Sequence, residues 1–139
     1  MIFIDRQTDY ALRGLIYLAG CKKSGWLSTS TLSRQLKVSR VFLARIFQRL
    51  ASGGLLETQR GAGGGIRLKN KKLSLGHLLK VIEPDLVLNR CLGRGFNCFR
   101  KKYCRLHKLL GKLQKELFGK LAQVKLEQLV DRNSLGSRV

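Results

Sequence analysis

The chain has 139 residues, 44% of them hydrophobic, which is enough for one compact domain with an appended helix but short for two full domains. Its 28 Lys and Arg against 8 Asp and Glu give a net charge of +20, and a polyanion such as nucleic acid would relieve this self-repulsion. No run reaches the roughly 20 apolar residues of a membrane helix, and charges at Asp5 and Arg6 exclude a signal peptide, so we expect a cytoplasmic protein without a membrane partner.

Three helices are predicted in the first part of the chain. Apolar residues at helical spacing predict an amphipathic helix over 8–18, capped by Thr8. A short second helix ends near Lys37, and a tight turn leads into a third helix over 40–52, capped by Ser39. Two short helices joined in this way indicate a helix-turn-helix, whose second helix enters the major groove of double-stranded DNA. The candidate DNA-binding residues here are Ser39, Arg40, Arg45, Gln48 and Arg49, with Arg45 the best base reader because arginine can bond guanine at two points.

A glycine-rich hairpin follows the helix-turn-helix. Residues 55–59 and 65–68 predict two paired strands around the tip Arg60-Gly61-Ala62-Gly63-Gly64. Glycines flanked by arginines let a backbone approach phosphates or a minor groove, so Arg60, Gly61 and Arg67 are further candidate DNA contacts. A nucleotide-binding loop fits poorly, because no Lys-Ser or Lys-Thr follows and no helix begins there. The fold class predicted is mainly α with a small β-hairpin wing, a winged helix-turn-helix.

The second half of the chain predicts a helix, a loop and a long helix. A fourth helix over 73–82, capped by Ser74, ends at Glu83-Pro84, and 86–103 is loop-like. Residues 105–130 predict one long helix with a leucine stripe on one side and basic residues on the other. This stripe favours a homodimer on a two-fold DNA site, the alternative being a helix folded back on its own domain. We therefore expect a DNA-binding domain over 1–84, a cysteine-rich loop over 85–104, a dimerisation helix over 105–131 and a disordered tail over 132–139.

Three cysteines crowd into the loop with the spacing C-x6-C-x5-C. Cys91, Cys98 and Cys104 lie in a strongly basic segment, which favours the thiolate form that binds metals, and His107 follows. Three interpretations stay open on spacing alone. The thiolates can hold an iron–sulfur cluster whose fourth ligand is not a cysteine, they can bind structural zinc with His107 as Cys₃His, or they can be free or redox-active thiols. The fourth cysteine, Cys21, is expected to be a packing residue.

The sequence offers no basis for an enzyme. No set of nucleophile, base and acid is recognisable, and the acidic residues are too few and scattered for a pair of catalytic carboxylates. The remaining classes are a DNA-binding regulator with a cluster and a zinc-stabilised nucleic-acid-binding protein without one.

Several strings, in order over about residues 1–131, resemble the bacterial regulator family of IscR, NsrR and RirA. They are Thr8-Asp9-Tyr10-Ala11-Leu12-Arg13, Val38-Ser39, the tip and second strand from Arg60 to Leu68, and the three-cysteine loop before a long terminal helix. The resemblance implies a winged-helix homodimer on operator DNA. It also implies a cluster on Cys91, Cys98 and Cys104 whose state sets DNA affinity.

Within that family the chain is most similar to the nitric-oxide-sensing NsrR type, through Thr8-Asp9-Tyr10, Glu83-Pro84 and Cys104-Arg105-Leu106. This implies a repressor with a [4Fe–4S] cluster in preference to [2Fe–2S], responding to nitric oxide, oxygen or iron supply. It also implies Asp9 of the partner subunit as the fourth ligand, with His107 of the same subunit as the alternative. Two positions depart from the pattern: the gap between Cys91 and Cys98 is one residue longer than usual, and Ala44 stands where IscR-like proteins have Glu.

Overall fold

A computed structural model describes residues 4–21 and 26–131, and within them the chain is mainly helical with one hairpin. This confirms the predicted winged helix; the tail over 132–139, predicted to be disordered, lies outside the described residues. The elements are α1 (Arg6–Gly20), α2 (Thr29–Leu36), α3 (Arg40–Ser52), β1 (Leu56–Gln59), β2 (Gly65–Leu68), α4 (Leu75–Ile82) and α5 (Arg105–Gln123), with 3₁₀ turns at Arg90–Leu92 and Leu126–Leu129.

Helix α1 begins two residues earlier than predicted, and Thr8 is not its cap. The carboxylate of Asp5 caps the helix by accepting a hydrogen bond from the Thr8 backbone N–H at 2.8 Å, and this bond holds the pKa of Asp5 below its ordinary value. Thr8 itself is fully buried, and its hydroxyl donates to Oε1 of Glu83 at 3.0 Å. Thr8 therefore ties α1 to the residue that follows α4.

The helix-turn-helix forms as predicted, with a serine cap at the start of each helix. Ser28 Oγ accepts from the Thr31 N–H at 3.1 Å, and Ser39 Oγ accepts from the Phe42 N–H at 3.2 Å. Lys37 ends α2 in the left-handed conformation, which turns the chain sharply into α3. The helices pack on a core whose fully buried side chains include Leu15, Leu32, Leu43, Leu78, Leu79 and Leu126.

The hairpin is antiparallel and is joined by a third extended segment. Leu56 pairs with Leu68 and Thr58 with Ile66, so the buried leucines face the helices. Leu27, in the segment before α2, forms an isolated bridge to Ile66, with N–H to O distances of 3.0 and 2.8 Å. The wing is therefore hydrogen-bonded to the segment that enters the helix-turn-helix.

Helix α5 is shorter than predicted, because the chain leaves the helix at Val124. The Val124 carbonyl accepts from the Leu75 N–H at 2.8 Å, and the Leu126 N–H donates to the Leu73 carbonyl at 2.9 Å. These bonds lead Leu126 into the core, where it is fully buried. The prediction of one helix over 105–130 is wrong: the end of this segment returns to its own winged helix.

The first half of α5 has an apolar side that the rest of the described residues leaves uncovered. Leu106, Leu109 and Leu113 remain 59%, 52% and 43% exposed. The predicted leucine stripe thus divides into a buried end, near Leu121 and Leu126, and an uncovered beginning.

None of the helices in the described ranges combines the length and apolar character that a bilayer span requires.

Gly76→Ala is expected to lower the free energy of unfolding by about 1–3 kcal/mol, because its Cβ would lie 2.9 Å from the backbone nitrogen of Ala122 where α4 meets α5. Gly119→Ala is the matched control: it has open space around a new Cβ, and replacing a helical glycine should raise stability by about 0.5–1 kcal/mol. Urea denaturation at one protein concentration measures both. Equal stability of Gly76→Ala and the wild type would contradict this packing.

Candidate metal centre and nucleic-acid interface

Cys104 stands at the N-cap of α5, where its sulfur takes the place of a capping oxygen. The Sγ atom accepts a hydrogen bond from the His107 backbone N–H at 3.3 Å. Free N–H groups and the helix dipole make this end of a 19-residue helix favourable for an anionic ligand such as a thiolate. The first turn of α5 therefore holds the sulfur of Cys104 against the backbone of His107.

Cys91 reaches the same place from the other end of the loop. It lies in the 3₁₀ turn Arg90–Leu92, which contacts α5, and its Sγ is 3.5 Å from Nδ1 of His107. The side chains of Cys91, Cys104 and His107 are all half-buried. The ring and the backbone N–H of His107 thus contact one sulfur each, that of Cys91 from 16 positions earlier in the sequence and that of Cys104 from the start of the same helix.

Cys98 is half-buried in the turns that connect Cys91 to Cys104. Across the described ranges no three His, Cys, Asp or Glu side chains are arranged closely enough to hold a metal ion, so the three cysteines do not yet converge. The chemistry of the donors nevertheless suits a soft metal centre, because thiolates select zinc, copper(I) or iron–sulfur clusters. Six cations and no acid between 90 and 105 surround these thiols: Arg90, Arg94, Arg100, Lys101, Lys102 and Arg105.

The carboxylate of Asp9 lies on the exposed side of α1 and pairs with Arg13, at 2.9 Å between Oδ2 and Nε. This contact raises the pKa of Arg13 above its ordinary value. The Asp9 side chain is 44% exposed.

Cys21 is separate from the loop cysteines. Its thiol donates to the Tyr17 carbonyl at 3.4 Å, and burial raises its pKa, so it is poorly suited to ligation as a thiolate. These contacts agree with the interpretation of Cys21 as a packing residue.

The face of α3 that points away from the core carries most of the predicted DNA-binding residues. Arg40, Arg45 and Gln48 are exposed, opposite the buried Leu43 and Phe47. Within residues 4–21 and 26–131, Arg45 has no hydrogen bond or ion pair, so its guanidinium is available to a ligand.

Arg49 is also on α3, but it is turned toward the body of the protein. One Nη atom donates to Oε1 of Gln7 at 3.2 Å and the other to the Ile82 carbonyl at 3.4 Å. Arg49 thus connects α3 to α1 and to the end of α4. Sequence reasoning placed it with the DNA contacts and gave no indication of this long-range role.

The two predicted arginines of the wing have different surroundings. Arg60 and Gly61 are exposed at the tip. Arg67 donates from Nε to Oε2 of Glu57 at 2.9 Å, and its guanidinium carbon lies 4.6 Å from the centre of the Trp26 ring. Neither Glu57 nor Trp26 was among the predicted site residues. The available sequence signal was that Glu57 is the single acid among eleven basic residues between 28 and 80.

Comparison with known proteins places these features in a family. Residues 4–132 match the Rrf2 family, described as iron-dependent transcriptional regulators. The transcriptional regulator NsrR of Shouchella clausii is 32% identical over 126 residues, covering 88% of this chain and 85% of that protein. Among solved structures, IscR of T. potens has a TM-score of 0.67 at 21% identity, over 91% of this chain and 85% of the other. Oxidized CymR of Staphylococcus aureus has a TM-score of 0.67 at 21% identity, over 92% and 95%.

The structural likenesses show the winged-helix fold, and the family match extends over nearly the whole chain. Members of this family bind DNA and are typically dimeric. The matched proteins are transcriptional regulators and not enzymes, which confirms the expectation from the sequence. The resemblance to IscR and NsrR is confirmed as well: the chain belongs to the Rrf2 family of transcriptional regulators.

Proposed function

We propose that this protein is a homodimeric repressor whose affinity for operator DNA is set by an iron–sulfur cluster on Cys91, Cys98 and Cys104. The observation that carries the proposal is that His107, in the basic first turn of α5, contacts both sulfurs: its ring Nδ1 lies 3.5 Å from Sγ of Cys91, and its backbone N–H donates to Sγ of Cys104 at 3.3 Å. The description of the family as iron-dependent and the NsrR relative support iron over zinc. A [4Fe–4S] cluster is favoured over [2Fe–2S] by the similarity to NsrR.

Three cysteines leave one coordination position for another residue. His107 is the candidate in the same subunit, since its ring already touches Cys91. Asp9 of the partner subunit is favoured by the NsrR-like start of the chain, and its exposed carboxylate can exchange Arg13 for another partner. When bound, such a cluster supplies an iron without a cysteine ligand, open to nitric oxide or oxygen and sensitive to iron supply.

Contact with DNA is assigned to the exposed side of α3 and to the wing. Arg40, Arg45 and Gln48 are the side chains available to the major groove, and Ser39 holds the start of α3 in place. Arg60 and Gly61 at the tip are available to phosphates or the minor groove. The large excess of basic residues favours this binding through counterion release.

The uncovered side of α5 is the proposed dimer interface. Leu106, Leu109 and Leu113 form an apolar face that a second copy would bury, and two copies match a two-fold operator. The loop that carries the cysteines begins just after Glu83, which accepts the hydrogen bond from Thr8 next to Asp9. A change in the loop therefore has a direct route to α1, and a shift between two populations of the dimer would lower operator affinity.

Protein purified without oxygen is expected to be brown and to contain iron and sulfide. Cys98→Ala should lose the colour and bind an operator, selected by the wild type from a random duplex pool, more weakly. Cys21→Ala is the matched control and should retain both properties, because Cys21 lies outside the loop. A colourless protein with stoichiometric zinc would support the zinc alternative, and unchanged operator binding by Cys98→Ala would contradict the coupling.

Co-expression of two variants identifies the fourth ligand. Asp9→Ala and Cys98→Ala should each lack the cluster alone, but a mixed dimer should regain one, because the cysteines of one subunit then face Asp9 of the partner subunit. Visible absorption and iron per dimer measure this. If Asp9→Ala alone keeps the cluster while His107→Ala loses it, the ligand is His107 of the same subunit.

Arg45→Ala and Arg49→Ala should separate DNA contact from stability. Arg49→Ala removes two hydrogen bonds within the fold and should lower the free energy of unfolding by about 1 kcal/mol. Arg45→Ala should leave stability within about 0.5 kcal/mol of the wild type but weaken operator binding by about 1–3 kcal/mol. Urea denaturation and operator titration at equal folded concentration check both; a stable Arg45→Ala that binds like the wild type would remove Arg45 from the interface.

A further inference from the structure

We propose that Arg67, Glu57 and Trp26 form a clamp that fixes the wing against the helix-turn-helix, so that Arg67 is a positioning residue and not a phosphate contact. This inference rests on the proposed DNA-binding function and concerns how the wing is aimed. It replaces the prediction from sequence that Arg67 contacts the DNA.

The guanidinium of Arg67 is already used by its neighbours. Glu57 and Arg67 are directly opposite each other in the register of the two strands, and Nε and one Nη of Arg67 both donate to Oε2 of Glu57. Its carbon lies 4.6 Å from the centre of the Trp26 ring, within the range of a cation–π contact. One edge and one face of the planar group are thus engaged inside the protein.

Trp26 belongs to the segment that leads into the helix-turn-helix. The next residue, Leu27, exchanges two backbone hydrogen bonds with Ile66 of β2, and Ser28 then caps α2. A Cβ at Gly65 would lie 2.2 Å from the Leu27 carbonyl oxygen, and Gly65 has a φ of +144°, so the backbones approach as closely as only glycine permits. Backbone and side chains therefore join the wing to α2 at the same place.

Charge also argues against a phosphate contact at Arg67. Glu57 is the single acid between 28 and 80, and it lies against Arg67 and not against Arg60 or Lys69. Its carboxylate neutralises Arg67 locally and would repel a phosphate placed on the same guanidinium. Arg60 at the tip has no ion pair among the residues that the structure describes, so its charge stays available to DNA.

The test compares charge-retaining and neutral variants on the operator selected by the wild type, over a range of salt concentrations. Arg60→Ala should make the negative slope of log K against log salt shallower by about 0.9, as the loss of one phosphate contact requires. Arg67→Lys keeps the charge but cannot both stack and donate from two nitrogens, so it should weaken binding roughly three- to tenfold, as Arg67→Ala does. Either Arg67 change should add little in an Arg60→Ala background, since both act through the wing tip.

Trp26 provides a second readout, because it is the only tryptophan in the sequence. Trp26→Ala removes no charge and should weaken operator binding as much as Arg67→Ala does. Trp26→Phe keeps an aromatic face and should bind the operator with wild-type affinity. Arg67→Ala should change the emission spectrum of Trp26, and addition of operator to the wild type should not.

Three results would overturn the clamp. Wild-type affinity of Arg67→Lys, together with a salt slope that is shallower by about 0.9 in Arg67→Ala, would make Arg67 a phosphate contact. Wild-type affinity and slope in Arg67→Ala would leave the clamp without a role in binding. A change in Trp26 emission on addition of operator that matches the change in Arg67→Ala would show that DNA opens the clamp.

Failure of the wild type to bind any duplex would instead reject the proposed function. The emission of Arg67→Ala would still report whether Arg67 contacts Trp26.

Discussion

The attachment of α5 at one end is the constraint on which the cysteine site depends. The Leu75 N–H donates to Val124 and the Leu73 carbonyl accepts from Leu126, which is buried in the core, and these bonds hold the end of α5 against the winged helix. Its beginning is left with an exposed apolar side and carries Cys104 at the cap. The loop before α5 therefore runs from the end of α4 to the beginning of α5, and on this path Cys91 comes back to His107.

The end of α4 relates the proposed sensing site to the proposed DNA-binding surface. Glu83, at the beginning of the loop, accepts a hydrogen bond from Thr8 of α1, and Arg49 of α3 donates to Ile82 just before it. The end of α4 is thus a meeting point of α1, which carries Asp9, of α3 and of the loop that carries the cysteines. A rearrangement of the loop would be transmitted through bonds that are individually weak and easily exchanged.

Local signals in the sequence predicted the fold well where the structure is held by neighbours in the chain. Ser39 and Ser74 cap the helices that they were expected to cap, and the glycines mark the hairpin tip. Errors arose where a distant residue decided the outcome. Both Asp5 and Thr8 are suitable caps, but the Thr8 hydroxyl is taken by Glu83, 75 positions away. The leucine periodicity of α5 continues past Val124, although hydrogen bonds to the segment before α4 end the helix there.

The candidate site was predictable in composition and less so in geometry. The spacing of Cys91, Cys98 and Cys104 indicated a soft metal centre. It could not show that the His107 ring contacts Cys91 or that the Cys104 sulfur caps the His107 backbone N–H. Arg67 illustrates the opposite case. A basic residue beside a glycine-rich tip predicts a DNA contact, but the Arg67 guanidinium is already engaged by its cross-strand partner Glu57 and by the ring of Trp26. Pairing across strands depends on register, which single residues do not reveal.

The most direct test of cluster-controlled repression is the dissociation constant of one anaerobic preparation for its selected operator, measured as purified, after removal of iron and sulfide, and after reconstitution. Control by the cluster predicts tight binding in the first state, binding weaker by at least about tenfold in the second, a change of about 1.4 kcal/mol, and recovery in the third. The same dissociation constant in all three states would contradict it.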